Sequence, residues 1–264
     1  MTAITDQLIV ETDGGVGRIT FNNPERRNAF TFEMWRDLPQ ALANFADDPL
    51  VRVIVLSGTG DKAFCAGADI SQFKDKRSSE DAVAEYNEAV QTASDTLAAT
   101  ELPTIAKIRG YCVGGGVGIA LCCDLRIASD DSRFAVPAAK LGLGYRLDGL
   151  QRLVDVVGPA MSKEIFFTAR QFDATEAASM GLVNRVLPVD ELDTYVNDYA
   201  TRISENAPLT IHAAKVVVGE ALKSHESRDL DLAGRVVDDC FESNDYAEGR
   251  QAFMEKRKPN FQGS

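Results

Sequence analysis

Long apolar runs are missing from this chain. Stretches such as Val53 to Leu56 and Ile165 to Phe167 fall far short of the roughly 20 residues that cross a bilayer, so no membrane-spanning segment is expected. Repeat periods and low-complexity tracts are missing as well. Met1 to Val10 carries Asp6 and no basic, apolar leader, so neither secretion nor organelle import is indicated and a cytoplasmic protein is expected. Histidine is scarce: His212 and His225 are the only two, and no serine or cysteine nucleophile motif accompanies them, which leaves a hydrolase triad unsupported. The five cysteines are Cys65, Cys112, Cys122, Cys123 and Cys240. They form an odd set without C-x-x-C spacing, which argues against a disulfide framework or a structural zinc site. Buried, reduced thiols are the expectation, and Cys65 is singled out only because of the loop it occupies.

What is present is an ordinary globular composition. With 264 residues, 45% hydrophobic and 26% charged, the chain suits one large domain or a domain with an appendage, and disorder, collagen and coiled coil are excluded. The net charge of −12, from 28 basic and 40 acidic side chains, repels nucleic acid and anionic lipid over most of the surface. Neither is an expected partner. An anionic ligand must then be held locally, by main-chain amides or a few placed cations.

The periodicity alternates between strand and helix. Leu8 to Val10 and Arg18 to Phe21 read as strands, and Phe32, Trp35, Leu38, Leu42 and Phe45 follow a helical spacing with Thr31 as cap. Val51 to Leu56 is a β-branched run that reads as a strand buried on both faces. A helical stretch near Glu80 to Thr100, an apolar run Pro103 to Ile108, a glycine-rich turn and a helix over Gly116 to Cys123 follow. This order predicts an α/β fold. Beyond Asn184 the stretches Leu192 to Ile203, Thr210 to Leu222, Leu230 to Cys240 and Tyr246 to Lys256 all read as amphipathic helices. A soft boundary near Ser204 to Pro208 therefore separates an α/β core, residues 1–204, from a helical region, residues 205–264.

Two loops carry the candidate chemistry, each following a buried strand. The first runs Gly58-Thr59-Gly60-Asp61-Lys62-Ala63-Phe64-Cys65-Ala66-Gly67-Ala68-Asp69-Ile70, and the second runs Gly110-Tyr111-Cys112-Val113-Gly114-Gly115-Gly116-Val117-Gly118 into a helix. Small residues leave their amides accessible, and a helix start offers unpaired N–H groups at the positive end of its dipole. Facing each other, the loops would aim one amide each at a single oxygen and stabilise charge developing there. On spacing alone the same glycines serve equally well as turn and packing devices.

Several strings together resemble the enoyl-CoA hydratase/isomerase (crotonase) family. They are Asn23-Pro24-Glu25-Arg26-Arg27-Asn28-Ala29, Ala63 to Ile70, Gly114-Gly115-Gly116, Cys123-Asp124, Lys163 to Thr168, Gly181-Leu182-Val183-Asn184 and Phe253 to Lys258. The resemblance runs in one order along nearly the whole chain. It implies stacked ββα units with a helical C-terminal trimerisation region, a homotrimer or a hexamer of paired trimers, and acyl-CoA substrates. It implies no cofactor apart from the coenzyme A carried by the substrate, and no metal. Carried over by position, the main-chain amides of Ala68 and Gly115 would hold the thioester carbonyl, and Ala66 to Ile70, Asp69 included, would wrap the coenzyme. Arg26 and Arg27 would lie near its phosphates, while Phe253 and Lys256 would reach a neighbouring subunit's coenzyme.

One departure bears on the reaction. Hydratases of this family place a glutamate two residues after the glycine triplet and another after the proline of the next strand-loop segment, a pair that positions water and moves a proton. Those positions here are Gly118 and Ala138. Leu141 to Leu150 resembles methylmalonyl-CoA decarboxylase, which has a tyrosine at the position of Tyr145 but a histidine where this chain has Ala68. A phenol, protonated at neutral pH, can donate the proton that follows decarboxylation. Tyr145 is thus the candidate proton donor, or else an aromatic wall of the acyl pocket. Asp148 is a candidate base, or else a helix cap with Gln151 three residues on. Glu85 and Glu88 lie on the helix that lines the acyl pocket in the family, and a solvent-facing role is expected for both. Decarboxylation or isomerisation is expected ahead of hydration, with a hydratase or lyase using substitute groups, or a non-catalytic acyl-CoA binder, as the alternatives.

Overall fold

The β-branched run becomes β3 (Val53–Gly58), whose side chains alternate between two buried layers. Ile54 and Leu56 enter the main core with Ile19, Phe21, Ala106 and Ile108, whereas Val53 and Val55 pack with Val16, Ile105 and Ile127 under a helix on the opposite face. Burial on both faces is why this strand is apolar at consecutive positions. The structure is a computed structural model that describes residues 6–72 and 79–264.

Two sheets share the chain. The larger has six strands in the order β1 (Leu8–Asp13), β2 (Val16–Phe21), β3, β5 (Thr104–Ile108), β7 (Leu125–Ser129) and β10 (Arg185–Leu187). Only its β1–β2 hairpin is antiparallel. The smaller has the order β4 (Ala63–Cys65), β6 (Tyr111–Val113), β8 (Arg133–Ala135) and β9 (Phe172–Asp173), parallel except at β9. The chain therefore lays one strand in each sheet before each helical crossover, as β3–β4, β5–β6 and β7–β8, and steps sideways by one strand position each time. The result is a staircase of stacked ββα units. The short strands β4 and β6 lie inside the two stretches read as loops. At three residues each, they are too short to show an alternating pattern.

Helices cover the sheets. α1 (Phe32–Ala46) begins at Thr31, whose Oγ1 accepts the Met34 N–H (3.3 Å), and α2 (Glu80–Ala99) begins at Ser79, which caps Ala82 N–H (3.2 Å). α3 (Gly115–Cys122) and α4 (Ala138–Leu141) follow β6 and β8. α5 (Leu147–Thr168) breaks at Gly158 (φ 75°), just before Pro159. α6 (Ala174–Ser179) starts on a capping box of Asp173 and Glu176. α7 (Leu192–Ser204) supplies Leu192, Val196 and Ala200 to the outer layer under β3. α8 (Pro208–Leu222), α9 (Leu230–Glu242) and α10 (Asn244–Glu255) end the chain, and Lys215 of α8 reaches back to the Asp124 carboxylate (2.8 Å). Among the described residues no helix is long and apolar enough to cross a membrane.

Candidate active site

The row β4, β6, β8 decides what meets what. Parallel neighbours about 4.8 Å apart release their C-terminal ends on the same side, so Ala66 to Asp69, Gly114 to Gly118 and Val136 to Ala138 emerge side by side. The Gly114 N–H donates to the Ala135 carbonyl (2.8 Å) and ties the second segment to the third. Gly116 brings α3 down onto the first, since a Cβ placed there would stand 2.2 Å from the Cys65 carbonyl oxygen. Only glycine permits that approach.

Phe30 and Ala68 form an isolated parallel bridge. Phe30 N–H donates to Gly67 O and Asp69 N–H donates to Phe30 O, both at 2.8 Å. In a parallel bridge the middle residue's own N–H points the other way, so the Ala68 N–H turns away from Phe30. A Cβ placed on Gly115 would stand 3.5 Å from the Ala68 nitrogen, and one placed on Gly67 would stand 3.5 Å from the Gly115 nitrogen. Gly115 opens α3, where a first-turn N–H has no acceptor within its own helix. Both residues are half-buried, and among the described residues neither N–H has a hydrogen-bond partner. Two unengaged donors from separate loops thus lie side by side, one of them at a helix N-terminus.

Gly118 and Ala138 bring no carboxylate to this place. A Cβ on Gly118 would meet nothing within 4 Å, whereas Ala138 is buried. Tyr145 packs edge-on against Phe166 (4.9 Å between ring centroids), and burial raises its phenol above the ordinary value of 10, which keeps the proton on. Tyr145 is thus half-buried against Phe166 with its hydroxyl protonated. Asp148 requires a correction: α5 begins at Leu147 with Arg146 as its N-cap residue, so Asp148 sits inside the first turn and is not the cap. Gln151, its expected partner, donates instead to Asp155 (2.7 Å). Asp148 is exposed, and its charge faces the positive end of the helix dipole.

A sequence profile of the enoyl-CoA hydratase/isomerase family matches residues 11–264. The chain is 34% identical to a crotonyl-CoA hydratase of Syntrophomonas wolfei over 97% of its own length and 98% of the relative's. A probable enoyl-CoA hydratase of Mycobacterium tuberculosis is 37% identical over the same shares. Among solved structures, an enoyl-CoA hydratase/carnithine racemase of Magnetospirillum magneticum superposes with a TM-score of 0.92 at 36% identity, covering 98% of this chain and 97% of that one. The chain belongs to the enoyl-CoA hydratase/isomerase family. Its stacked ββα units are the crotonase fold.

The remaining positions carried over from the family are unevenly placed around the two donors. Arg26 and Arg27 are exposed, Arg27 lies over the Tyr111 ring (4.8 Å), and the Arg27 carbonyl accepts the Ala66 N–H (3.0 Å). The Arg27 main chain therefore meets the first loop, while its guanidinium lies over Tyr111 of the second. Asp69 is buried, and its Oδ1 accepts both the N–H (2.9 Å) and the hydroxyl (2.6 Å) of Ser71, so the carboxylate is spent inside the turn. Ile70 opens a short 3-10 turn, and its side chain lies outside the described residues. Phe253 and Lys256 belong to the end of α10 and are exposed, Lys256 in the left-handed region (φ 55°). Glu85 and Glu88 are exposed on α2. His212 and His225 lie in the C-terminal helical region, as read from the sequence. Cys65 is buried, its Sγ accepts the Gly67 N–H (3.4 Å), and burial pushes its thiol up to about 12, which opposes thiolate formation. Among the described residues no cluster of three or more His, Cys, Asp or Glu side chains is placed to hold a metal ion.

Two further residues position the loops. Asn28, left-handed (φ 56°) and buried, donates from Nδ2 to the carbonyls of Thr59 (3.0 Å) and Ala63 (2.7 Å), and its Oδ1 accepts the Asn23 N–H (3.2 Å). It fastens the segment bearing Arg26 and Arg27 to the first loop. Arg126 is buried, meets no carboxylate at hydrogen-bond distance among the described residues, and donates to the carbonyls of Ala120 (3.3 Å), Cys123 (2.7 Å) and Leu182 (2.8 Å). It closes the C-terminal end of α3, the helix that presents Gly115. Asn28 lies within the Asn23 to Ala29 string; for Arg126, a lone cation in an apolar strand is itself the signal in the sequence.

Proposed function

We propose that this family member processes acyl-CoA thioesters by holding the thioester carbonyl between the N–H groups of Ala68 and Gly115 and stabilising the enolate that forms there. The observation that carries this reading is the pair of neighbouring, unengaged main-chain donors, half-buried and set at a helix N-terminus. The family's hydratase pair of glutamates has no counterpart at Gly118 and Ala138, so decarboxylation or double-bond isomerisation is preferred to hydration. In decarboxylation the carbon–carboxylate bond breaks, carbon dioxide leaves, and the bonding pair becomes the enolate. The Tyr145 hydroxyl then protonates the α carbon and is reprotonated by water. In isomerisation Asp148 takes the first proton and returns it at the other end of the conjugated system. Arg26 and Arg27 face the coenzyme phosphates, and Ala66 to Ile70 follow its pantetheine side.

A second reading, hydration by substitute groups, is favoured by the names of the relatives, which are hydratases. A panel of carboxylated and unsaturated acyl-CoAs separates the two. Turnover of a carboxylated or isomerisable thioester that drops at least tenfold in Tyr145→Phe supports the first. Rapid hydration of crotonyl-CoA, indifferent to Tyr145→Phe and to the double change Gly118→Glu with Ala138→Glu, overturns it. Binding without turnover, and without deuterium exchange at the α carbon, marks a non-catalytic binder.

A further inference from the structure

The glycines of the two loops divide by cause. Gly58, Gly110 and Gly116 are held by packing, because an added Cβ would stand 2.3, 2.2 and 2.2 Å from a backbone oxygen. Gly67 and Gly114 are held by positive φ, 104° and 55°. Gly118 has neither cause: its backbone is helical, and an added Cβ meets nothing within 4 Å. Glycine inside a helix is less stable than alanine, and no packing contact offsets that loss. The space in front of Gly118 is therefore open to something other than protein, as it is at the helical Gly219 and Gly234, and position is what distinguishes Gly118.

Its position says what. Gly118 follows Gly115 by three residues, which puts it on the same face of α3, about 4.5 Å further along the axis. Helical Cα–Cβ bonds tilt toward the N-terminus, so the empty volume leans back toward the space in front of the Ala68 and Gly115 donors. From a carbonyl oxygen held there, ordinary bond lengths carry the acyl chain to its β carbon within about 3–4 Å. No side chain within 4 Å of the vacant Cβ position offers a counter-ion.

We propose that Gly118 is a specificity-determining residue that admits uncharged bulk on the β carbon of the acyl group. The protein then selects β-branched or ring-bearing acyl thioesters over short straight ones. The inference rests on the enolate reading of the site and is tested beside it. α-Proton exchange in deuterated water is measured for butyryl-CoA, 3-methylbutyryl-CoA and 3-phenylpropionyl-CoA, together with their dissociation constants by calorimetry and with thermal melting. The wild-type protein is expected to favour the two substituted thioesters. Gly118→Ala should raise the melting temperature by about 2–4 °C and lower the preference for 3-phenylpropionyl-CoA over butyryl-CoA at least tenfold, and Gly118→Val should lower it further. A preference unchanged in both variants, or a wild-type preference for butyryl-CoA, overturns the inference while leaving the enolate reading intact. Absence of exchange from every thioester, together with no turnover of any carboxylated acyl-CoA, overturns the enolate reading instead, and the calorimetric preference then decides the role of Gly118 by itself.

Discussion

Asn28 does more for the candidate site than any ionisable side chain near it. Asn28→Ala would leave the Thr59 and Ala63 carbonyls without their side-chain donor and place a Cβ-bearing residue without local hydrogen bonding at φ 56°, a loss of about 3 kcal/mol or more. Asn28→Gly loses the same bonds but tolerates the backbone, so urea melts should rank Asn28→Ala as the less stable of the two. Gly116→Ala is expected to cost about 1–3 kcal/mol, because its methyl group would require α3 to retreat from the Cys65 carbonyl. Such a retreat also parts the Ala68 and Gly115 donors. The thiols divide as burial dictates: Cys65, at about 12, and Cys122, at about 11, are held protonated, Cys112 and Cys123 are raised too, and Cys240 is half-buried. A thiol reagent at neutral pH should modify Cys240 well before the other four, which react only after unfolding, as mass spectrometry of labelled peptides will report. At this scale the sequence was legible where a residue's type states its role, as in the small residues of the two loops. It was silent where the role is set by distant partners: nothing local distinguishes Asp148 as a first-turn residue from Asp148 as a cap, because the start of α5 is fixed by how the preceding segment packs.

Elements carry the next constraint, and α3 is the clearest case. It has only eight residues, presents Gly115 at one end and is closed at the other by the Arg126 guanidinium. The cation satisfies last-turn carbonyls and offsets the negative end of the dipole, which leaves the positive end free to act on a ligand oxygen. Arg126→Met keeps the bulk and strands the Cys123 and Leu182 carbonyls, while Ala120 O keeps the Cys123 N–H, so a loss of about 2–3 kcal/mol in thermal melts is expected, with Arg126→Lys recovering part of it. The C-terminal tail is expected to respond to acid. Arg257 (2.6 and 2.8 Å) and the Asn260 N–H (2.8 Å) hold the Glu248 carboxyl at about 2, well below its ordinary 4.5. A carboxylate with a depressed folded-state value contributes stability above its ordinary value and loses that contribution as pH falls toward 2. Protection of the Asn260 amide should therefore decline between pH 4.5 and 2, and Glu248→Gln should show the same loss at neutral pH. The sequence displayed long elements such as α1 and the run at β3 because their periods repeat several times. It hid β4, β6 and β8, whose three residues fit no period, although these strands are what bring the two loops together.

The whole molecule buries its apolar residues in two layers and then leaves a third set outside. Val218, Leu222, Leu230, Phe241, Phe253 and Met254, all on α8 to α10, are exposed in the single chain, Phe253 to 86%. The alternation of strand and helix was enough to read an α/β class, and the ordered motifs were enough to read the family. The use of the C-terminal helices was not legible, since an amphipathic helix covering its own core and one covering a neighbour have the same pattern. Exposed large side chains concentrated on three successive helices, in a protein of net charge −12, form an apolar face that the single chain leaves uncovered. We therefore propose a homotrimer, or a hexamer of two trimers, in which Phe253 and Lys256 approach a neighbour's coenzyme. Sedimentation at micromolar concentration should give three or six times the monomer mass. Phe253→Asp combined with Met254→Asp should shift the protein toward monomer and weaken acyl-CoA binding at least tenfold while circular dichroism stays unchanged. A wild-type monomer that binds acyl-CoA with full affinity would remove the neighbour from the site and leave Phe253 and Lys256 without a part in it.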